Sequence, residues 1–160
     1  MSDHALLPFV DAWSVDVDAP PRTVWQALLE RQPPPHAGGW RRLWAIAWAA
    51  DPAASNGLAA HVLGAERPGF EVREVVPPAT YALAGRHRFA QYQLVFRIEG
   101  RGPAGSRLTA ETFARFPGTA GRLYRALLID AGLHALVMWT MVRALRRRAE
   151  ARARREANDA

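Results

Sequence analysis

The chain has 160 residues and a net charge of +6, the length of one domain able to bury roughly 70% of the surface it exposes when unfolded. All 21 basic residues are arginine and there is no cysteine, which excludes disulfides and thiolate metal sites and leaves the redox compartment open. Seven of the arginines fall in 143–156, against Glu150 and Glu156, so the charge sits at the C-terminal end and the rest of the chain is close to neutral; that is not the evenly basic surface of a nucleic-acid binder.

Residues 1–9 are expected to be loosely held, with Leu6, Leu7 and Phe9 available to cover apolar surface. They lack a basic region followed by a long apolar run, so no signal peptide is expected and a cytoplasmic protein is. From Val10 to Asp18 the residues alternate, Trp13, Val15 and Val17 one way and Ser14, Asp16 and Asp18 the other, the pattern of a half-buried strand. Prolines at 20 and 21 stop it and open a short helix whose apolar face is Val24, Trp25, Leu28 and Leu29. The triple proline at 33–35 ends that helix. A second helix is expected over 39–50, where Trp40, Trp44 and Trp48 recur every four residues; such a stripe is core more often than an aromatic binding platform. A polar loop follows over 51–57.

The next sixty residues read as an antiparallel meander. Short strands are expected over 60–66 and 80–84, and a firmer one over 70–76, ended by Pro77 and Pro78. In 88–98 the even positions, Ala90, Tyr92, Leu94, Phe96 and Ile98, are apolar and face the core. After a glycine- and proline-rich hairpin loop, 108–116 returns with Leu108, Ala110, Thr112, Ala114 and Phe116 inward. Eleven residues of strand span about 36 Å.

From Pro117 to about Glu156 there is no proline, and good helix formers dominate. On a wheel of about 100° per residue, Leu123, Leu127, Ala131, Met138, Met141 and Leu145 fall within about 60° of His134. This predicts one continuous helix with an apolar stripe of about 40 Å, and it places Asp130 and His134 on that stripe one turn apart. The apolar run of 126–142 is too short and too interrupted for a membrane span. The predicted class is α+β: a curved antiparallel sheet of about six or seven strands, two short helices, and the long C-terminal helix across the concave face, enclosing a cavity.

Several stretches strengthen this: VDVDAPPRTVW at 15–25, GFEVREVVPP at 69–78, GRHRF at 85–89, RLTAET at 107–112 and FPG at 116–118. In that order they resemble the START-like (SRPBCC, polyketide-cyclase-like) helix-grip superfamily, in particular a small bacterial branch of it. The resemblance covers roughly residues 10–150 and makes 10–145 the START-like domain, with 146–160 an arginine-rich helix end. It implies a cavity for a lipid, a polyketide or a similar hydrophobic small molecule, with some relatives acting as cyclases or dehydratases. It implies fold more strongly than activity.

Asp130 and His134 are the sharpest chemical candidates. As helical neighbours, a carboxylate beside an imidazole would serve proton transfer in a cyclase or dehydratase; the plainer alternative is a buried histidine held in register by Asp130 or a strand hydroxyl. Tyr92 and Thr112 are candidates to orient a ligand's polar end, or else to bond each other. Arg86, His87 and Arg88 stand at a strand entrance, where they would meet an anionic head or simply be solvated. The expected ligand-binding set is Arg88, Tyr92, Leu94, Phe96, Thr112, Leu127, His134 and Met138. No phosphate loop, nucleophile elbow or metal-binding spacing is present, so no cofactor is expected. The arginine tail raises a polyanion partner, but without interleaved aromatics nucleic acid is not favoured, and cations at a helix C-terminus already suit its dipole. On the reverse of the long helix, Ile129, Leu136 and Trp139 form an apolar band, to be covered either by the N-terminal segment or by a second copy in a homodimer. Three functions compete: a hydrophobic-ligand binder, an enzyme using Asp130 and His134, and an interaction protein docking through its arginines.

Overall fold

The computed structural model describes residues 7–31 and 49–159. The chain runs β1 (Phe9–Val17), α1 (Pro21–Arg31), β2 (Glu66–Arg67), β3 (Phe70–Val76), β4 (Thr80–His87), β5 (Ala90–Gly100), β6 (Ser106–Arg115), α2 (Gly118–Arg125), a π-helical turn (Ala126–Asp130) and α3 (Leu133–Asn158). The helix expected over 39–50, with its tryptophan stripe, lies almost wholly outside the described residues.

The six strands form one antiparallel sheet in the order β1-β6-β5-β4-β3-β2. Because side chains alternate across a strand, register decides which residues share a face. One row across the sheet is Asp11, Thr112, Leu94, Leu83 and Val72; the next is Trp13, Ala110, Phe96, Tyr81 and Val75. The even positions of β5 and β6 do face the core, with Phe96, Ile98, Leu108 and Ala110 buried. The strand expected over 60–66 is instead mostly turn and pairs only at Glu66 and Arg67. Conversely, β4 runs on through Gly85 to His87. Glycine is required there because a Cβ at 85 would sit 2.0 Å from the Gly69 carbonyl oxygen.

Helices α1 and α3 cover the core face. The buried stripe of α3 is Met138, Val142, Leu145 and Ala149, at helical spacing, set against Val24, Ala27 and Leu28 of α1 and the sheet. The C-terminal part is fastened to α1 and to the turn before it: the Thr23 hydroxyl donates to Glu156 at 3.0 Å, Arg152 pairs with Glu30, and the Asp18 N–H donates to Glu150 at 3.3 Å. The arginine-rich end is therefore partly a packed helix whose charges are engaged, Arg146 with Glu150 and Arg152 with Glu156, one turn on in each case.

The continuous helix expected from 117 to 156 is broken. At the π turn the Ala131 N–H reaches back to Ala126, and Gly132 follows at φ +78°. That left-handed conformation is cheap for glycine and ends a helix. The two arms, Gly118–Asp130 and Leu133–Asn158, diverge by 51°. The apolar stripe breaks with them: Leu123 and Leu127 are each 64% exposed instead of facing the sheet. No single helix among the described residues is long and apolar enough to cross a membrane.

Candidate functional site

A cavity of about 500 Å³ lies between α1, α3 and the core face of β3 to β5. Its apolar wall comes from alternate strand residues, Phe70 and Val72, Tyr81 and Leu83, Leu94 and Phe96, closed by Leu28 of α1 and Met141 of α3. This size and lining suit a small molecule with a largely apolar body. The turn over 60–68 forms its outer wall, and two side chains brace it. The Tyr81 hydroxyl donates to the Ala60 carbonyl at 2.8 Å; burial pushes its pKa up to about 12 against the opposing charge of Arg67. Arg67 is only 6% exposed and donates to the carbonyls of Leu58 and Glu66, both at 2.6 Å. Its charge is thus solvated by the backbone, as a buried cation requires. Arg31 and Arg148 complete the lining at the rim.

A larger hollow of about 600 Å³ opens on the opposite face of the sheet. Asp51, Glu66 and Glu71 stand there with Arg73, Arg86 and Arg115, and exposed ion pairs join Arg86 to Asp51 at 2.6 Å and Arg73 to Glu71 at 3.0 Å. It is a solvated, charge-balanced surface cleft, and its greater volume does not make it the better small-molecule site.

Of the residues expected to bind ligand, Leu94 and Phe96 line this cavity, which is open at its rim, and the others do not. Tyr92 is on the same face but at the sheet's end. Its hydroxyl donates to the Gly69 carbonyl at 2.6 Å, and its ring joins Phe70 and His87; burial and the neighbouring Tyr124 push its pKa up. Arg88 is exposed, over the Phe89 ring. Leu127 faces solvent and Met138 is in the packed core. His134 and Thr112 bond each other at 3.2 Å, away from the cavity lining.

The pairing of Asp130 with His134 is corrected by the break at Gly132. Asp130 lies on the far side of the bend, its side chain 62% exposed and 4.0 Å from Arg125. His134 instead faces Asp11, Nε2 to Oδ1 at 3.4 Å, with the two side chains 16% and 26% exposed. The other carboxylate oxygen of Asp11 accepts from the Trp13 indole at 3.0 Å. Among the described residues there is no group of three metal-ligating side chains. The residues missed at the cavity are chiefly Tyr81, Arg67, Arg31 and Arg148. Tyr81 was legible from the parity of its strand; the arginines converge only through tertiary packing.

No family model matches the chain, and no curated protein does. Among solved structures it is similar to a conserved protein from Geobacillus kaustophilus, at 15% identity and a TM-score of 0.52, over 86% of this chain and 93% of that one. It is also similar to a START superfamily protein from Mycobacterium smegmatis (13% identity, TM-score 0.48, covering 92% and 98% of the two chains). A third similar structure is the Aha1 dimer from Colwellia psychrerythraea (16%, 0.49, 87% and 94%). The antiparallel sheet gripping a long C-terminal helix is an α+β, helix-grip architecture, and the fold is shared with the Geobacillus kaustophilus protein.

Proposed function

We propose that the protein binds a hydrophobic small molecule, a lipid, polyketide or similar compound, in the cavity between the sheet and α3. One observation carries this reading: a cavity of about 500 Å³ whose wall is built from Phe70, Val72, Leu83, Leu94, Phe96 and Met141. Covering an apolar wall of that kind with an apolar occupant removes it from water and is favourable. The test is binding of the neutral fluorophore N-phenyl-1-naphthylamine, with dodecanol as competitor. Saturable one-to-one binding, lost when Leu94→Trp fills the cavity while the circular dichroism spectrum is retained, is the expected result. No saturable binding by the wild type would overturn the reading.

The cyclase or dehydratase alternative loses its acid–base pair with the break at Gly132, and His134 in its observed place does not line the cavity. The break at Gly132 splits the band expected on the reverse of the helix and leaves Ile129 half-buried in the π turn; the exposed Leu136 and Trp139 of α3 favour a homodimer as an additional property. The described part of the N-terminal segment does not cover them: Pro8 accepts from the Ala114 N–H at 2.9 Å, and Phe9 packs on Phe113.

A further inference from the structure

The polar part of the cavity lining has a single sign. Arg31, Arg67 and Arg148 line it, and no carboxylate among the described residues does. The three arginines are not equivalent. Arg67 is spent on Leu58, Glu66 and Ser55, a structural use. Arg31 closes the C-terminal end of α1 and Arg148 lies on the middle of α3, both largely exposed at the rim. Among the described residues neither has an ion-pair partner, whereas three of the other six arginines of α3 are engaged: Arg146 with Glu150, Arg152 with Glu30 and Glu156, and Arg143 over the Trp139 ring. Burial and then the nearby Arg148 charge lower the Arg31 pKa, as two like charges held together must.

Two guanidiniums without an ion-pair partner among the described residues stand beside a largely apolar wall, a place an anion would suit. Arginine suits the role because its planar fork donates paired hydrogen bonds to the oxygens of a carboxylate or phosphate. Resting on the cavity-binding reading above, we infer that the ligand is an amphiphile with an oxyanion head, whose apolar body fills the cavity and whose head is held at the rim between Arg31 and Arg148. This is a different place from the 86–88 strand entrance, where Arg86 already pairs with Asp51.

The experiment compares four single-chain probes competing with N-phenyl-1-naphthylamine on the full chain: dodecanoate, dodecyl phosphate, dodecanol and dodecyltrimethylammonium. The wild type should bind one or both anions at least about ten-fold tighter than dodecanol, the equivalent of about 1.4 kcal/mol, and the ammonium least. Which anion binds better separates a carboxylate from a phosphate head. The anion-to-alcohol ratio should shrink with added salt and fall towards one in Arg31→Gln/Arg148→Gln; Arg148→Glu should move the preference towards the ammonium probe. A wild-type ratio near one, or a ratio insensitive to both salt and these substitutions, would overturn the inference and leave the cavity reading standing. Failure of all four probes to compete would overturn the cavity reading itself. The salt series on the wild type decides the matter even if a variant does not fold.

Discussion

Asp11 and His134 meet across the fold, carboxylate oxygen to imidazole nitrogen at 3.4 Å, where β1 at the sheet edge passes under the first turn of α3. The same nitrogen lies 3.2 Å from the Thr112 hydroxyl, and Thr112 is the register partner of Asp11 on β6. Asp11 Oδ1 is buried and accepts no hydrogen bond of good geometry, so His134 is the nitrogen that faces it. This contact fixes where α3 starts after the bend. His134→Leu should therefore cost about 1–3 kcal/mol in urea unfolding, and His134→Gln less, since an amide can still reach Thr112. A double-mutant cycle with Asp11→Asn should give a coupling of about 1 kcal/mol; strict additivity would show that the contact holds nothing. Because His134 is outside the cavity lining, His134→Gln should bind N-phenyl-1-naphthylamine as the wild type does.

His87 provides a pH-dependent contribution to stability. Burial holds its imidazole below the ordinary 6.5, and the Phe89 N–H donates to its Nδ1 at 3.2 Å, an acceptor role a protonated nitrogen cannot play. The folded state prefers the neutral ring, so the contribution is complete above the unfolded-state pKa and is lost as pH falls through it towards the folded value. The urea midpoint should drop as pH falls through and below 6.5, and His87→Phe should flatten that part of the profile. An unchanged slope in the variant would assign the pH dependence elsewhere.

Gly85 and Gly69 bring two backbone segments closer than any side chain permits. A Cβ on residue 85 would lie 2.0 Å from the Gly69 oxygen and 2.9 Å from the Tyr92 ring, and that oxygen also accepts the Tyr92 hydroxyl. Gly85→Ala should cost about 2–3 kcal/mol by overpacking. Gly100→Ala is the control: its nearest neighbour would be Pro21 Cγ at an ordinary 3.6 Å, so it should be near neutral in the same thermal melt.

Self-association is expected through the outer face of α3, where Leu136 is 56% and Trp139 40% exposed. Apolar groups clustered on one solvent-facing side commonly mark a contact surface. Trp139→Arg should shift the protein towards monomer in sedimentation velocity without lowering its melting temperature. A wild type that sediments as a monomer at every concentration would dismiss the dimer.

The alternation in Ala90–Gly100 and Ser106–Arg115 was legible because the period of a strand is local and its burial one-sided. The order of elements, and with it the fold, followed. The helix break was not legible: one glycine in an apolar helical pattern is compatible with continuation, and a π turn shifts the wheel without leaving a compositional mark. That one shift displaced Leu123, Leu127 and Asp130 from the face the wheel gave them. Asp11 escaped for another reason. Its partner is set by the register of β1 on β6 and by where α3 restarts, both long-range facts with no periodic trace. The same holds for Arg31 and Arg148, which read as ordinary surface charges at the end of one helix and along another.

The guanidinium rim also bears on how long a ligand stays. The 160 residues include no lysine and no cysteine, so no side-chain amine can condense with a carbonyl and no thiolate can add to an unsaturated one. At the rim a carbonyl compound would meet the guanidiniums of Arg31 and Arg148, which do not act as nucleophiles at neutral pH. Under the proposed reading, release of a carbonyl-bearing ligand is then set by reversible contacts and not by hydrolysis of a lysine or cysteine adduct.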